Sequence, residues 1–159
     1  MINFFLDILG KIISKIPEWI LAEFSLCLGW CIYVLFGSRR SMMLRNLHRA
    51  FPEKTEEWRR RIALLSCQRM VEMGLFVMAS PYLSNSRIKK IIELDRTFLK
   101  IAEERKNKDE PDILIIPHFT LIEALTLYPA VYDAPKQEVG VIYRPLNQIS
   151  LENWVKRTR

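Results

Sequence analysis

The sequence predicts an α/β fold in which N-terminal membrane-associated helices precede a mainly helical domain with a few core strands. Three observations carry this prediction. Residues 19–36 are almost uncharged, residues 56–106 have helical periodicity, and a short β-branched run occupies residues 113–116. With 159 residues and 50% hydrophobic composition, the chain is long enough to bury one core.

The apolar segment at residues 19–36 is the main membrane signal. Its only charged residue is Glu23, and about 20 apolar residues span the hydrocarbon core of a bilayer. Residues 2–16 form a shorter amphipathic segment, with Lys11 and Lys15 on a polar side, which fits the membrane interface. Both a spanning helix and an interfacial helix stay open as interpretations of the apolar segment.

Basic residues follow the apolar segment and predict its orientation. Residues 39–61 contain eight Lys or Arg against three Asp or Glu. Positive charge next to a membrane helix is typical of the cytoplasmic side. We therefore expect residues 1–38 to form a membrane-associated helical anchor and residues 39–159 to form a cytoplasmic domain.

The net charge of +6 indicates an acidic partner. Anionic lipid fits this charge, whereas the chain has neither the zinc spacing nor the aromatic-basic strands of a nucleic-acid-binding protein. Cys27, Cys31 and Cys67 include no CxxC pair and are interpreted as small apolar residues, so no metal site is expected.

Two further helices are predicted from residue 56 onward. Pro52 ends the preceding helix, and Thr55 is placed to cap the next one, at residues 56–79. A second helix is predicted at residues 87–106. The helix at 56–79 is expected to face the core with Trp58, Ile62, Leu65, Met70, Met73 and Val77.

The candidate chemistry follows the apolar run at residues 113–116, which predicts a buried parallel strand. His118 then leaves the carboxyl end of this strand, where ligand sites gather in open α/β sheets. A helix is predicted at residues 121–130, with Glu123 in its first turn. From a loop, His118 can meet Glu123 and act as a general base.

Glu123 has a second interpretation that stays open. Thr120 and Glu123 have the spacing of a capping box, in which Thr caps the helix and Glu returns to the cap amide. A second predicted strand, at residues 139–143, brings Arg144 to the same sheet edge as His118 if the strands are parallel neighbours. An Arg there can bind a phosphate or carboxyl group, or form a structural ion pair.

These motifs resemble the bacterial lipid A biosynthesis acyltransferases, the lauroyl/myristoyl type within the lysophospholipid acyltransferase superfamily. The resemblance runs along nearly the whole chain. It is carried by Asn46-Leu47, Phe51-Pro52, the His118 to Glu123 block, and Arg144-Pro145-Leu146-Asn147. The family usually writes His-Phe-Gly-Asn-Trp-Glu, and here Thr120, Leu121 and Ile122 replace the middle three residues.

The resemblance implies an enzyme that transfers a fatty acyl group from an acyl thioester to a hydroxyl of a lipid A-type glycolipid. By this analogy His118 is the base, Glu123 orients it, and Arg144 and Asn147 bind substrate. The implied donor is acyl carrier protein or CoA, with no cofactor, and the implied location is the inner membrane, with the active domain facing the cytoplasm. The family is longer, so residues 39–159 are expected to be the N-terminal part of an acyltransferase domain whose C-terminal part is absent.

Two alternatives stay open beside this expectation. A phospholipid acyltransferase of the lysophosphatidic type uses the same His and acid on a glycerol hydroxyl. In an inactive membrane-anchored fragment, Glu123 only caps a helix and Arg144 only forms an ion pair.

Overall fold

A computed structural model describes residues 2–105, 122–132 and 145–158. These residues form α-helices joined by short turns, and no strand occurs among them. The two predicted strands, at residues 113–116 and 139–143, lie outside the described residues. The helices are α1 (Ile2–Ile13), α2 (Glu18–Leu35), α3 (Gly37–Ala50), α4 (Glu56–Ala79), α5 (Asn85–Ile91), α6 (Arg96–Arg105), α7 (Tyr128–Val131) and α8 (Ile149–Thr158). Two 3₁₀ helices, Ser80–Tyr82 and Ile122–Leu127, complete the described elements.

The chain divides into two compact units. One contains the described residues of 1–14 and 79–159, and the other contains Lys15–Met78. The division at residue 38 into an anchor and a cytoplasmic domain concerns location, so it stays a prediction.

The unit Lys15–Met78 brings α2 and α4 together through small residues. Gly29 of α2 lies so close to Gln68 of α4 that a Cβ atom on Gly29 would be 2.4 Å from the Gln68 Cα atom. Ser25, one turn before Gly29, is buried as well. The Gln68 side chain donates a hydrogen bond of 3.2 Å to the carbonyl of Leu26. Small residues four apart let two helix backbones approach closely, as in packed membrane helices.

The predicted core stripe of α4 is wrong in part. Leu65 and Met70 are 38% and 54% exposed, whereas Ala63 and Cys67 are 0% and 2% exposed. The buried side of α4 is therefore formed by small residues, and the larger Leu65 and Met70 side chains lie on its outer surface.

Local capping signals for α4 are confirmed. The backbone N–H of Trp58 donates to the Thr55 hydroxyl at 3.2 Å, which satisfies one of the free donors at the start of α4. The rings of Phe51 and Trp58 meet edge to face with centroids 5.4 Å apart. The turn at Pro52 is therefore closed by a cap and an aromatic contact.

The helix predicted at residues 87–106 is interrupted in the structure. Residues 92–95 separate α5 from α6. Asp95 accepts a hydrogen bond of 2.8 Å from the backbone N–H of Thr97, and Ser84 caps α5 through the N–H of Arg87 at 3.3 Å. Asp competes with the helix backbone for these N–H groups, so it starts a new helix instead of continuing the old one.

Candidate functional site

The predicted catalytic pair is only partly within the described residues. His118 lies outside them, and Glu123 lies in the 3₁₀ helix Ile122–Leu127. The α-helix predicted at residues 121–130 is instead this 3₁₀ helix followed by the short helix α7. Pro129 explains the change, because a proline has no N–H to continue an α-helical ladder. Helix α7 packs on α5 and also contacts the preceding 3₁₀ helix, which contains Glu123.

The predicted substrate-binding pair is divided in the same way. Arg144 lies outside the described residues, and Asn147 is exposed two residues before α8. The structure therefore places the backbones of Glu123 and Asn147, and the mutual geometry of the four predicted site residues stays a prediction.

Glu152 fixes the segment that carries Asn147. This carboxylate is 7% exposed, and its Oε2 atom accepts a hydrogen bond of 3.0 Å from the backbone N–H of Leu146. Its Oε1 atom lies 3.2 Å from the Nζ atom of Lys156. The turn before α8 is thus held by a buried acid of the same helix. We missed Glu152 in the sequence, although an acid in the first turn of a helix is a familiar stabilising feature.

A second carboxylate, Asp7, collects hydrogen bonds from two other elements. The Tyr82 hydroxyl donates to it from the 3₁₀ helix Ser80–Tyr82. From α8, the indole N–H of Trp154 donates at 3.0 Å, and the Nη2 atom of Arg157 lies 2.8 Å from both carboxylate oxygens. We call Asp7, Tyr82, Trp154 and Arg157 the Asp7 cluster. No periodicity or spacing signal in the sequence pointed to it.

The hydrogen bond from Tyr82, followed by that from Arg157, lowers the pKa of Asp7 below its ordinary value. A carboxylate whose ionised form is stabilised in this way is a poor proton acceptor at neutral pH. Trp154 is 2% exposed, so the cluster is partly covered by the packing of α8. Its chemistry therefore suits a structural connection between α1 and α8, and it does not suit a general base.

The Asn46-Leu47 pair that carries part of the resemblance lines an open groove of about 310 Å³ between α3 and α4. Ser66 lies on its α4 side, but its hydroxyl already donates to the carbonyl of Ile62 at 2.9 Å. The remaining lining is apolar and consists of Met43, Ala50 and Ala63. The groove is thus an apolar depression in which Asn46 supplies the exposed polar group.

Among the described residues, no three His, Cys, Asp or Glu side chains come close enough to hold a metal ion. By length and composition, two helical stretches, Glu18–Leu35 and Glu56–Tyr82, could cross a membrane. The second of these, around α4, was not anticipated from the sequence.

Comparison with known proteins gives one finding. The family model described as Bacterial lipid A biosynthesis acyltransferase matches residues 1–159, the full length of the chain. No curated protein matches the chain, and no solved structure matches it. The family match therefore agrees with the resemblance that the motifs carry.

Proposed function

The chain belongs to the bacterial lipid A biosynthesis acyltransferase family, and we propose that it transfers a fatty acyl group from an acyl thioester to a hydroxyl of a lipid A-type glycolipid. The family match over residues 1–159 is the observation that carries this proposal. Membership implies a lipid-type acceptor in general.

His118 is the proposed general base and Glu123 the acid that orients it. His118 takes the proton from the acceptor hydroxyl as its oxygen attacks the thioester carbonyl carbon. The carbon–sulfur bond then breaks, and the departing thiolate receives that proton from the imidazolium. The products are a lipid ester and a free thiol, so atoms and charge balance without a cofactor.

Arg144 and Asn147 are the proposed substrate-binding residues of the same site. Arg144 offers a planar set of N–H donors that suits a phosphate or a carboxyl group. Asn147 is exposed, and the bond from Leu146 N–H to buried Glu152 limits the movement of the turn beside it. A restrained turn holds a binding residue in place before the substrate arrives, which lowers the entropy cost of binding.

Association with a membrane is supported by the surface of α2. Trp19, Trp30 and Leu35 are 69%, 54% and 76% exposed, which is unusual for a helix of a soluble domain. The guanidinium carbon of Arg40 lies 5.4 Å from the ring centre of Tyr33 at the end of α2. A basic and aromatic helix end suits the cytoplasmic headgroup region, so we propose the inner membrane, with the catalytic residues on the cytoplasmic side.

Acyl carrier protein is the proposed donor, with CoA as the alternative carrier. Arg39, Arg45 and Arg49 are exposed along α3 and give this helix a positive surface. Acyl carrier protein is acidic, and complementary charge accelerates the encounter of two proteins. A donor bound through these arginines loses affinity as the salt concentration rises.

Acyl transfer from labelled acyl carrier protein tests the proposal with the full-length chain in detergent micelles. Removal of the base in His118→Ala is expected to lower the rate by about 10²- to 10⁴-fold. The matched control is His48→Ala, because His48 is the other histidine and is exposed on α3. Equal rates for wild type and His118→Ala would overturn the proposed mechanism.

Product analysis by mass spectrometry separates the alternatives. A lipid A-type precursor and a lysophosphatidic acid are offered together, and the proposal expects the glycolipid to be acylated. Acylation of the glycerol hydroxyl alone would establish the phospholipid alternative. A folded chain that acylates neither acceptor would identify an inactive fragment.

A further inference from the structure

Helix α1 has an exposed apolar face. Phe4, Phe5, Ile8 and Ile12 are 71%, 64%, 41% and 54% exposed. Positions 4, 8 and 12 follow one another at four-residue spacing, and position 5 lies seven residues before position 12, so all four share one helix face. We call this set the α1 apolar face.

The inward side of α1 contains Asp7, Gly10 and Ile13. Asp7 bonds to the Asp7 cluster, and its side chain is only 21% exposed. Gly10 and Ile13 are buried next to it, and at the end of α1 the carbonyl of Ser14 accepts a hydrogen bond from Arg87 of α5. A helix of a water-soluble domain normally turns its large apolar side chains toward the core, whereas α1 leaves Phe4 and Phe5 exposed.

Two anchoring points therefore fix the rotation of α1 about its own axis. Asp7 is held by α8 and by the 3₁₀ helix Ser80–Tyr82, and Ser14 is held by α5. They lie seven residues apart, which is two helical turns, on the same side of the helix. A rotation that buried the α1 apolar face would break both sets of contacts.

The charge around the α1 apolar face is positive. Lys11 is exposed beside this face, with its Nζ atom 5.9 Å from the ring centre of Tyr82. Lys15 follows the end of α1 in the sequence. Asp7 is the only acid in α1, and Arg157 compensates it. The helix thus offers apolar side chains with a cationic border, the composition of helices that lie on anionic membranes.

We propose that α1 is an interfacial helix that docks through Phe4, Phe5, Ile8 and Ile12 onto an anionic lipid surface, with Asp7 as the positioning residue that keeps this face outward. With 12 residues, α1 is too short to span a bilayer. It is also distinct from the two helical stretches long enough to do so. The inference concerns the orientation of α1 and does not depend on acyl transfer.

A probe on α1 itself is needed, because α2 also offers an apolar surface to lipid. A fluorophore sensitive to polarity is attached to Ile8→Cys in the full-length chain with Cys27→Ser, Cys31→Ser and Cys67→Ala. The matched control carries the same fluorophore at Lys100→Cys, on an exposed position of α6 in the same unit. Both proteins are mixed with vesicles of phosphatidylglycerol and phosphatidylethanolamine, or of phosphatidylcholine alone, that contain spin-labelled quencher lipid.

The proposal expects the probe at position 8 to shift to the blue and to be quenched by the anionic vesicles, while the probe at position 100 is not. Lys11→Gln in the protein labelled at position 8 is expected to lower the ratio of docked to undocked probe about fivefold. Lys100→Gln, a lysine away from α1, leaves that ratio unchanged. Asp7→Asn should reduce quenching at position 8, because the helix loses its fixed rotation.

Three outcomes would overturn the inference. Equal quenching at positions 8 and 100 would show that α1 does not lie preferentially on the lipid surface. Equal quenching by both vesicle types would show that docking does not depend on anionic lipid. A blue shift without vesicles would mean that another protein surface covers this face, such as a second copy. If the protein without its three native cysteines fails to fold, hydrogen exchange on the unmodified chain tests the same proposal. Anionic vesicles must then slow exchange in peptides from α1.

Discussion

Arg157 binds Asp7 across 150 positions of sequence, with its Nη2 atom 2.8 Å from each carboxylate oxygen. The contact joins the first described helix to the last. Trp154, one turn earlier on α8, reaches the same carboxylate. A helix at the start of the chain and the helix that follows the Pro145–Asn147 turn therefore share one polar connection.

Asp7→Asn is expected to loosen this connection. The amide keeps the size of the side chain but loses the negative charge that Arg157 and Tyr82 stabilise, so α1 and α8 should open more often. Hydrogen exchange should accelerate in peptides from both helices and stay unchanged in α4, which lies in the other unit. Acceleration confined to α1 would contradict a shared connection.

The Asp7 contribution should depend on pH in a defined direction. Its pKa in the folded chain is below the ordinary value of 3.8, so folding is linked to loss of a proton. The stabilisation is present above that ordinary value and is lost as the pH falls through the lower folded-state pKa. The difference in thermal unfolding temperature between wild type and Asp7→Asn should be constant above about pH 5 and shrink below pH 4. A difference that grows on acidification would have the wrong sign.

Gly29→Ala should destabilise the unit Lys15–Met78. The added Cβ atom would stand 2.4 Å from the Gln68 Cα atom, and backbone at that distance cannot move aside cheaply. We expect a loss of about 1–3 kcal/mol in the free energy of unfolding, measured by denaturant titration in detergent. Gly74→Ala is the matched control, since nothing lies within 4 Å of its added Cβ atom. It should stabilise α4 by about 0.5–1 kcal/mol. Similar effects of the two substitutions would contradict the close approach of α2 and α4.

Glu152→Ala should release the turn that carries Asn147. The backbone N–H of Leu146 loses its acceptor, at a cost of about 1 kcal/mol in unfolding free energy. If Asn147 binds substrate as proposed, the KM should also rise. Lys156→Ala is the control, because Lys156 is 62% exposed and a surface ion pair contributes about 0.5 kcal/mol or less. A larger effect of the lysine substitution would assign the restraint to the ion pair.

Local chemistry made several elements predictable. Thr55 caps α4 as expected, and the predicted bounds of 56–79 agree with that helix, because a cap and a proline act within a few residues. The apolar segment at 19–36 corresponds to α2. A long run of apolar residues without breaks is itself a local signal for a helix. The family was also readable from short motifs, and the match over residues 1–159 agrees with it. Asp95 was the local signal that we missed, and it divides a predicted helix in two.

Most helix positions and the family membership could be predicted from local patterns of residues. The side of each helix that is buried depends on contacts between residues far apart in the chain. On α4 the fold buries Ala63 and Cys67 and leaves the larger Leu65 and Met70 exposed. On α1 the partners of Asp7 come from distant parts of the chain, so the hydrophobic periodicity of α1 cannot predict them. Periodicity reports that a helix has two different faces, and the neighbours supplied by the fold determine which face they cover.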